Sequence, residues 1–195
     1  GSGIKVDISS TINYVTGDMY RNALQTAGVE DADIKVDSPV NVSGTAALTG
    51  IMKAYEFSTG TAIPEEVKKA ANEELVVTSE LGETIGSEKA TELINDIKVK
   101  IAEEKPQSRE EVKQIVINIV NQYNINLSDG QIESITNFFD HLRTIDIDWD
   151  ALGDRAMKFA GKAKDYLSSE EGQSFLRQLQ NFFNRFFDWF AGLFK

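Results

Sequence analysis

Apolar and charged residues alternate twice within the first forty positions of the chain. In "IKVDIS" Ile4, Val6 and Ile8 alternate with Lys5 and Asp7, and in "ADIKVDSPV" Ile34 and Val36 alternate with Asp33 and Lys35. A period of two is that of a strand with one buried face, so each segment predicts a strand, with "INYVT" extending the first and Pro39 ending the second. Between them Thr16 is placed to cap a helix from about Gly17 to Ala27, and Gly28 falls where a left-handed C-terminal residue is wanted. After "NVSGT" a second helix carries Leu48, Ile51, Met52 and Tyr55 on one face and closes near Gly60. Two strands joined by a helix are parallel neighbours or flank a third strand, and a two-stranded sheet is seldom stable alone. This βαβα unit is therefore expected to borrow strands, from another copy or from protein outside this chain.

From Pro64 onward the period is helical. Pro64 suits a first helical position, and Val67, Ala70, Ala71, Leu75 and Val76 keep one face to about Leu81. A further helix runs from Ser87 through Leu93, Ile94, Ile97 and Ile101 to the break at Pro106. Ser108 with Glu111, and Ser128 with Gln131, have capping-box spacing ahead of apolar runs through Ile115 and Ile119 and through Ile135 and Phe139. Another helix is predicted from about Asp148. The fold class is α+β: a small βαβα unit with few strands over 1–62, then a helical bundle of five to six helices over 63–172. Residues 173–195 are expected to form a C-terminal amphipathic helix of their own.

In that tail, Phe175, Leu176, Leu179, Phe182, Phe183, Phe186, Phe187, Trp189, Phe190, Leu193 and Phe194 project into one arc of about 160° at helical spacing. Gln178, Gln180, Asn181, Asn184, Arg185 and Asp188 fill the opposite side. Burying each large side chain is worth about 1.5–3 kcal/mol, so this interaction face needs a partner. Three partners fit it: the protein's own core, a second copy giving self-association, or a membrane surface.

Composition narrows the field. A formal charge of −11 and a sequence pI of 4.6 exclude an ordinary nucleic-acid binder, whose affinity rests on Lys and Arg at phosphates. The chain has no cysteine, so disulfides, thiolate metal sites and cysteine nucleophiles are excluded together. It opens on "GSGIKVDISS", without the basic and apolar regions of a signal peptide. No stretch reaches the ~18 consecutive apolar residues that span a bilayer.

Candidate chemistry is sparse. The turn "VNVSGTAALTG" places Ser43, Gly44 and Thr45 at a helix N-terminus, where free N–H groups and the dipole attract anions. No Lys follows the glycine as in a phosphate-binding loop, and cap preferences favour ordinary helix capping. Asp146, Asp148 and Asp150 alternate as in a calcium loop, but Ala151 and Met157 stand where that loop needs Gly and Glu; Asp148 as a helix cap explains the run. His141, the one histidine, has neither a nucleophile nor ligand spacing near it and reads as structural. The carboxylate pairs Glu65 and Glu66, and Glu73 and Glu74, read as solvated helix faces. No catalytic residue, metal ligand or cofactor follows from these patterns.

The run "INYVTGDMYRNALQTAGVEDADIKVDSPVNVSGTAALTGIMKAYEFSTG", followed by "KKAANEELVVTSELGETIG", resembles the YpuA-like family of Firmicute exported proteins, a domain family of unknown function. The resemblance covers roughly residues 1 to 145 and is strongest from Thr11 to Gly60. It implies an extracytoplasmic location and preceding segments that supply a leader and further strands. It brings no catalytic residues. The expected function is a non-catalytic, envelope-associated binding module; a carboxylate-based glycan hydrolase and a self-assembling structural protein are the alternatives.

Overall fold

The two alternating segments pair with each other. In the computed structural model, which describes residues 3–168, strand β1 (Ile4–Ile8) and strand β2 (Ala32–Val36) form a parallel two-stranded sheet, in register from Ile4↔Ala32 to Ile8↔Val36. The "INYVT" extension is reduced to a single bridge, Ile12↔Val42. On the outer face Lys5 lies beside Asp33 and Asp7 beside Lys35, so each cross-strand pair joins opposite charges.

Helix α1 (Gly17–Thr26) packs on β1, across the apolar face of the sheet. Thr16 Oγ1 caps it by accepting from the Met19 N–H at 3.3 Å, and Gly28 follows it at φ +81°. Met19, Tyr20, Asn22, Ala23, Leu24 and Thr26 are all buried, which is more than one face of a helix. The reason is that α1 is covered twice, by the sheet and by helices α3 (Glu65–Ile85) and α4 (Ser87–Glu104). Helix α2 (Ala47–Thr59) packs on β2 and α3 and ends at Gly60, φ +71°.

Helices α5 (Arg109–Gln122) and α6 (Asp129–Leu142) continue the bundle, α5 against α4 and α6 against both α5 and α3. Ser108 Oγ accepts from the Glu111 N–H, and Ser128 with Gln131 closes a full capping box. Phe138 and Phe139 are buried in α6 with ring centroids 4.7 Å apart. Helix α7 (Trp149–Ser168) follows. The chain divides into two compact units, residues 1–157 and 158–195. In the first, one apolar core runs from Ile4 to Ile145 and takes in both the βαβα segment and the helices after it.

Helix α3 departs from its sequence reading in three ways. Pro64 is its N-cap residue, one position before the helix, and the helix continues to Ile85. Val76 is 42% exposed and Val77 is buried instead, because the buried stripe runs through Glu74, Val77, Thr78 and Leu81. Glu74, read as part of a solvated face, is fully buried.

Its partner is Lys98 of α4, also fully buried, with Nζ 2.6 Å from Glu74 Oε1. The ammonium also donates to Thr26 Oγ1 at 3.0 Å and to the Asn22 carbonyl at 3.4 Å, while the Thr26 hydroxyl donates to Glu74 Oε2. Burial pushes the Lys98 ammonium below its ordinary range, and Glu74 opposes that shift. The cluster ties α1, α3 and α4 together. Replacing Lys98 with Met strands a buried carboxylate and is expected to cost about 3–5 kcal/mol in denaturant unfolding. The double substitution Lys98→Met with Glu74→Leu is expected to recover most of that loss; a single substitution costing under about 1 kcal/mol would show the pair to be solvated.

Candidate functional site

Residues Ser43, Gly44 and Thr45 lie where the chain leaves the Ile12↔Val42 bridge and turns into α2. Gly44 is buried at φ +93°, and its carbonyl accepts from the Tyr20 hydroxyl and, at 3.1 Å, from the Ala47 N–H. A Cβ there would stand 2.6 Å from Ile12 Cγ2 and 2.7 Å from Tyr20 Oη, so both the backbone and the space require glycine. Burial pushes the Tyr20 hydroxyl up to about 12, which keeps it a donor. The Ser43 carbonyl accepts from the Val15 N–H at 3.1 Å, and the Ser43 and Thr45 hydroxyls meet each other at 3.2 Å. The expected side-chain capping is corrected here. Helix α2 starts after Ala46 without a side-chain cap, because the turn is tethered to Val15 and Tyr20 and the helix begins beyond it.

Beside this turn, β2 and α2 enclose a groove of about 610 Å³. Residues 31–37 form one wall along the whole of β2, and Ala47, Gly50, Ile51, Ala54 and Tyr55 are among the α2 residues opposite. The far end of α2 is anchored by Glu56, whose Oε1 accepts from the Ile63 N–H at 2.8 Å and lies 3.0 Å from Lys68 Nζ. The Ile63 hydrogen bond and then Lys68 hold the Glu56 carboxyl below the ordinary carboxylate range.

A second cavity, about 400 Å³, lies between the end of α4 and the start of α7, lined by Ile101, Pro106, Arg143 and Trp149 among others. At its edge Lys105, in the left-handed region at φ +48°, pairs with Asp150 at 3.0 Å. Asp148 Oδ1 accepts from the Ala151 N–H at 2.9 Å and so caps α7, as its spacing predicts. His141 is exposed, with Nδ1 2.9 Å from Glu73 Oε2, and joins α6 to α3. Burial, with Glu88 and Asp96 nearby, pushes the Glu92 carboxyl up, but neither Glu92 nor Asp96 lines either cavity. The aromatic interaction face from Phe175 to Phe194 lies outside the described residues.

Residues 1–159 match the family described as "Protein of unknown function (DUF1002)". The chain belongs to this family. It is also 40% identical over 196 residues to the "Uncharacterized protein YpuA" of Bacillus subtilis (strain 168), across 100% of this chain and 67% of that relative. The YpuA-like resemblance of the sequence is thus shown. No solved structure matches the chain. The DUF1002 match includes both strands, the Gly44 turn and every residue named in the walls of the two cavities.

Sequence reasoning missed the groove and the Lys98–Glu74 pair. Signals for both were present: an alternating strand with no third strand after it, and Lys98 at helical spacing between Ile94 and Ile101. The Gly44 turn offers a direct check of its structural role in this DUF1002 chain. Gly44→Ala forces a Cβ into filled space at positive φ and is expected to lose at least about 1–3 kcal/mol of stability by denaturant titration. An unchanged midpoint would mean the turn is open.

Proposed function

We propose that the chain is a non-catalytic, extracytoplasmic binding module of the cell envelope that holds an extended segment of a partner polypeptide. The observation that carries this reading is the groove along β2. Its walls are a strand edge, small side chains and the half-buried Ile51 and Tyr55, which suits binding of a backbone. Several titratable groups singled out by sequence are engaged elsewhere in the fold, Glu74 with Lys98, His141 with Glu73 and Asp150 with Lys105. The extracytoplasmic placement rests on what the resemblance to the YpuA-like family implies. The aromatic arc of the tail adds, on its sequence pattern, a second contact surface directed at a partner or a membrane.

A panel of unstructured nonapeptides of varied charge, followed by amide chemical shifts, tests the groove. Members of the panel are expected to perturb residues 31–37 and 47–59 together; a panel that leaves both segments unmoved removes the reading.

The tail is tested separately, by sedimentation with phosphatidylglycerol–phosphatidylcholine vesicles of the full chain and of one truncated after Gly172. Trp189 fluorescence is read in a Trp149→Phe background. Sedimentation and a blue shift are expected from the full chain alone, with thermal unfolding kept on truncation. No sedimentation, with loss of the fold on truncation, would assign the aromatic face to the core.

A further inference from the structure

The two edges of the sheet are not equivalent. On the outer edge of β1 the Ile4 carbonyl accepts from Arg21 Nε at 3.1 Å, and Gly17 sits so close that a Cβ would stand 3.0 Å from the Val6 carbonyl oxygen. The beginning of α1 thus lies against that edge and closes it. On β2 the phase of the ladder is set by the Ser9 N–H, which donates to the Val36 carbonyl at 3.0 Å in the register Ile8↔Val36. Ala32, Ile34 and Val36 therefore turn their backbone groups toward β1, and Asp33 and Lys35 turn theirs outward. Among the described residues these outward N–H and C=O groups have no hydrogen-bond partner.

Helix α2 stands over the space beyond them. In a βαβα chain each helix covers its own strand and the next, and here the next position beside β2 is the groove. Ile34 and Val36 of β2 and Ile51 and Tyr55 of α2 make its inner side apolar. Its open rim carries Asp31, Asp33 and Asp37 against Lys35, three carboxylates to one ammonium, on a chain of formal charge −11.

We propose that the groove takes a segment of alternating apolar and basic residues from a partner polypeptide as the third strand of this sheet. The inference rests on the groove reading above and adds the mode and the charge of the partner. Backbone groups of Asp33 and Lys35 supply the ladder, apolar side chains of the incoming strand pass under α2, and basic ones meet the aspartate rim. A second copy fits less well. Pairing β2 with β2 would bring two α2 helices to the same face over strands only about 5 Å apart, where packed helices need roughly 8–10 Å.

The test uses the full chain and a capped heptapeptide of alternating lysine and valine, with two comparisons: its glutamate–valine analogue and the same peptide with a central proline. The readout is hydrogen exchange at the Asp33 and Lys35 amides. The lysine–valine peptide is expected to slow both amides by about tenfold or more at saturation, and the proline peptide to do nothing. Gly50→Phe plugs the groove; a Cβ at Gly50 meets nothing within 4 Å, so its thermal midpoint is expected to hold while binding is lost. Binding that survives this plug, or leaves the two amides unprotected, overturns strand addition. Equal binding of the glutamate peptide overturns the basic partner and leaves the groove reading intact, whereas silence from these peptides and the nonapeptide panel removes both. Protection that rises with protein concentration alone would give the slot to a second copy, and protection of both amides without peptide in a chain extended by the preceding segments would give it to the protein's own strands; either overturns the proposal.

Discussion

The buried pair of Lys98 and Glu74 is the constraint on which the rest of the fold depends. Removing an ammonium and a carboxylate from water costs several kcal/mol per ion, so the pair persists only where every proton is placed. Here the lysine has three donors and finds three acceptors, Glu74 Oε1, Thr26 Oγ1 and the Asn22 carbonyl. Two of those acceptors belong to α1. A purely apolar contact would tolerate a slide of α1 along α3 and α4; this cluster accepts one register, because any slide leaves a charge unpaired in the core.

With α1 fixed in that way, the shape of the sheet follows. Most of the helix is covered: β1 takes one side and the α3–α4 hairpin the other, and of its residues only Asp18 is exposed. Its first residues close the outer edge of β1, so any extension of the sheet is confined to the side of β2. Short length and charge keep such an edge from indiscriminate pairing, and β2 has five residues with Asp33 and Lys35 on its outer face. Those same residues stand opposite Lys5 and Asp7 in the register of the sheet, while the outward backbone groups of β2 have no partner among the described residues.

What was legible in the sequence was what local chemistry decides. Thr16, Ser108, Ser128 and Asp148 each do at a helix start what their side chains predict, and the alternation around Val6 and Ile34 found both strands. What was hidden depends on partners distant in sequence. Glu74 looks like any helix-surface glutamate until Lys98, 24 residues away, is packed against it. The face of α3 was misjudged by one residue at Val76, because polar Glu74 and Thr78 interrupt the apolar stripe that would have marked the inside. The groove was legible only as a deficit, a sheet too narrow for its helices.

Two glycines show how that deficit differs from ordinary packing. Around Gly44 the space is filled, by Ile12 and the Tyr20 hydroxyl, and the residue has the backbone conformation that excludes a side chain. Around Gly50 there is open space, in a helix, where glycine costs about 1 kcal/mol relative to alanine. A helix whose task ended with covering its own strand would gain by placing leucine there, since each large side chain buried against β2 contributes about 1.5–3 kcal/mol. Helix α2 instead presents Ala47, Gly50 and Ala54 to the groove, and keeps its larger apolar residues, Ile51 and Tyr55, half-buried beside them. Small residues allow close approach of a backbone, and the backbone groups able to receive one are those of Asp33 and Lys35. The wall and the strand edge are matched to the same kind of guest, one that β1 and β2, the two strands among the described residues, do not supply.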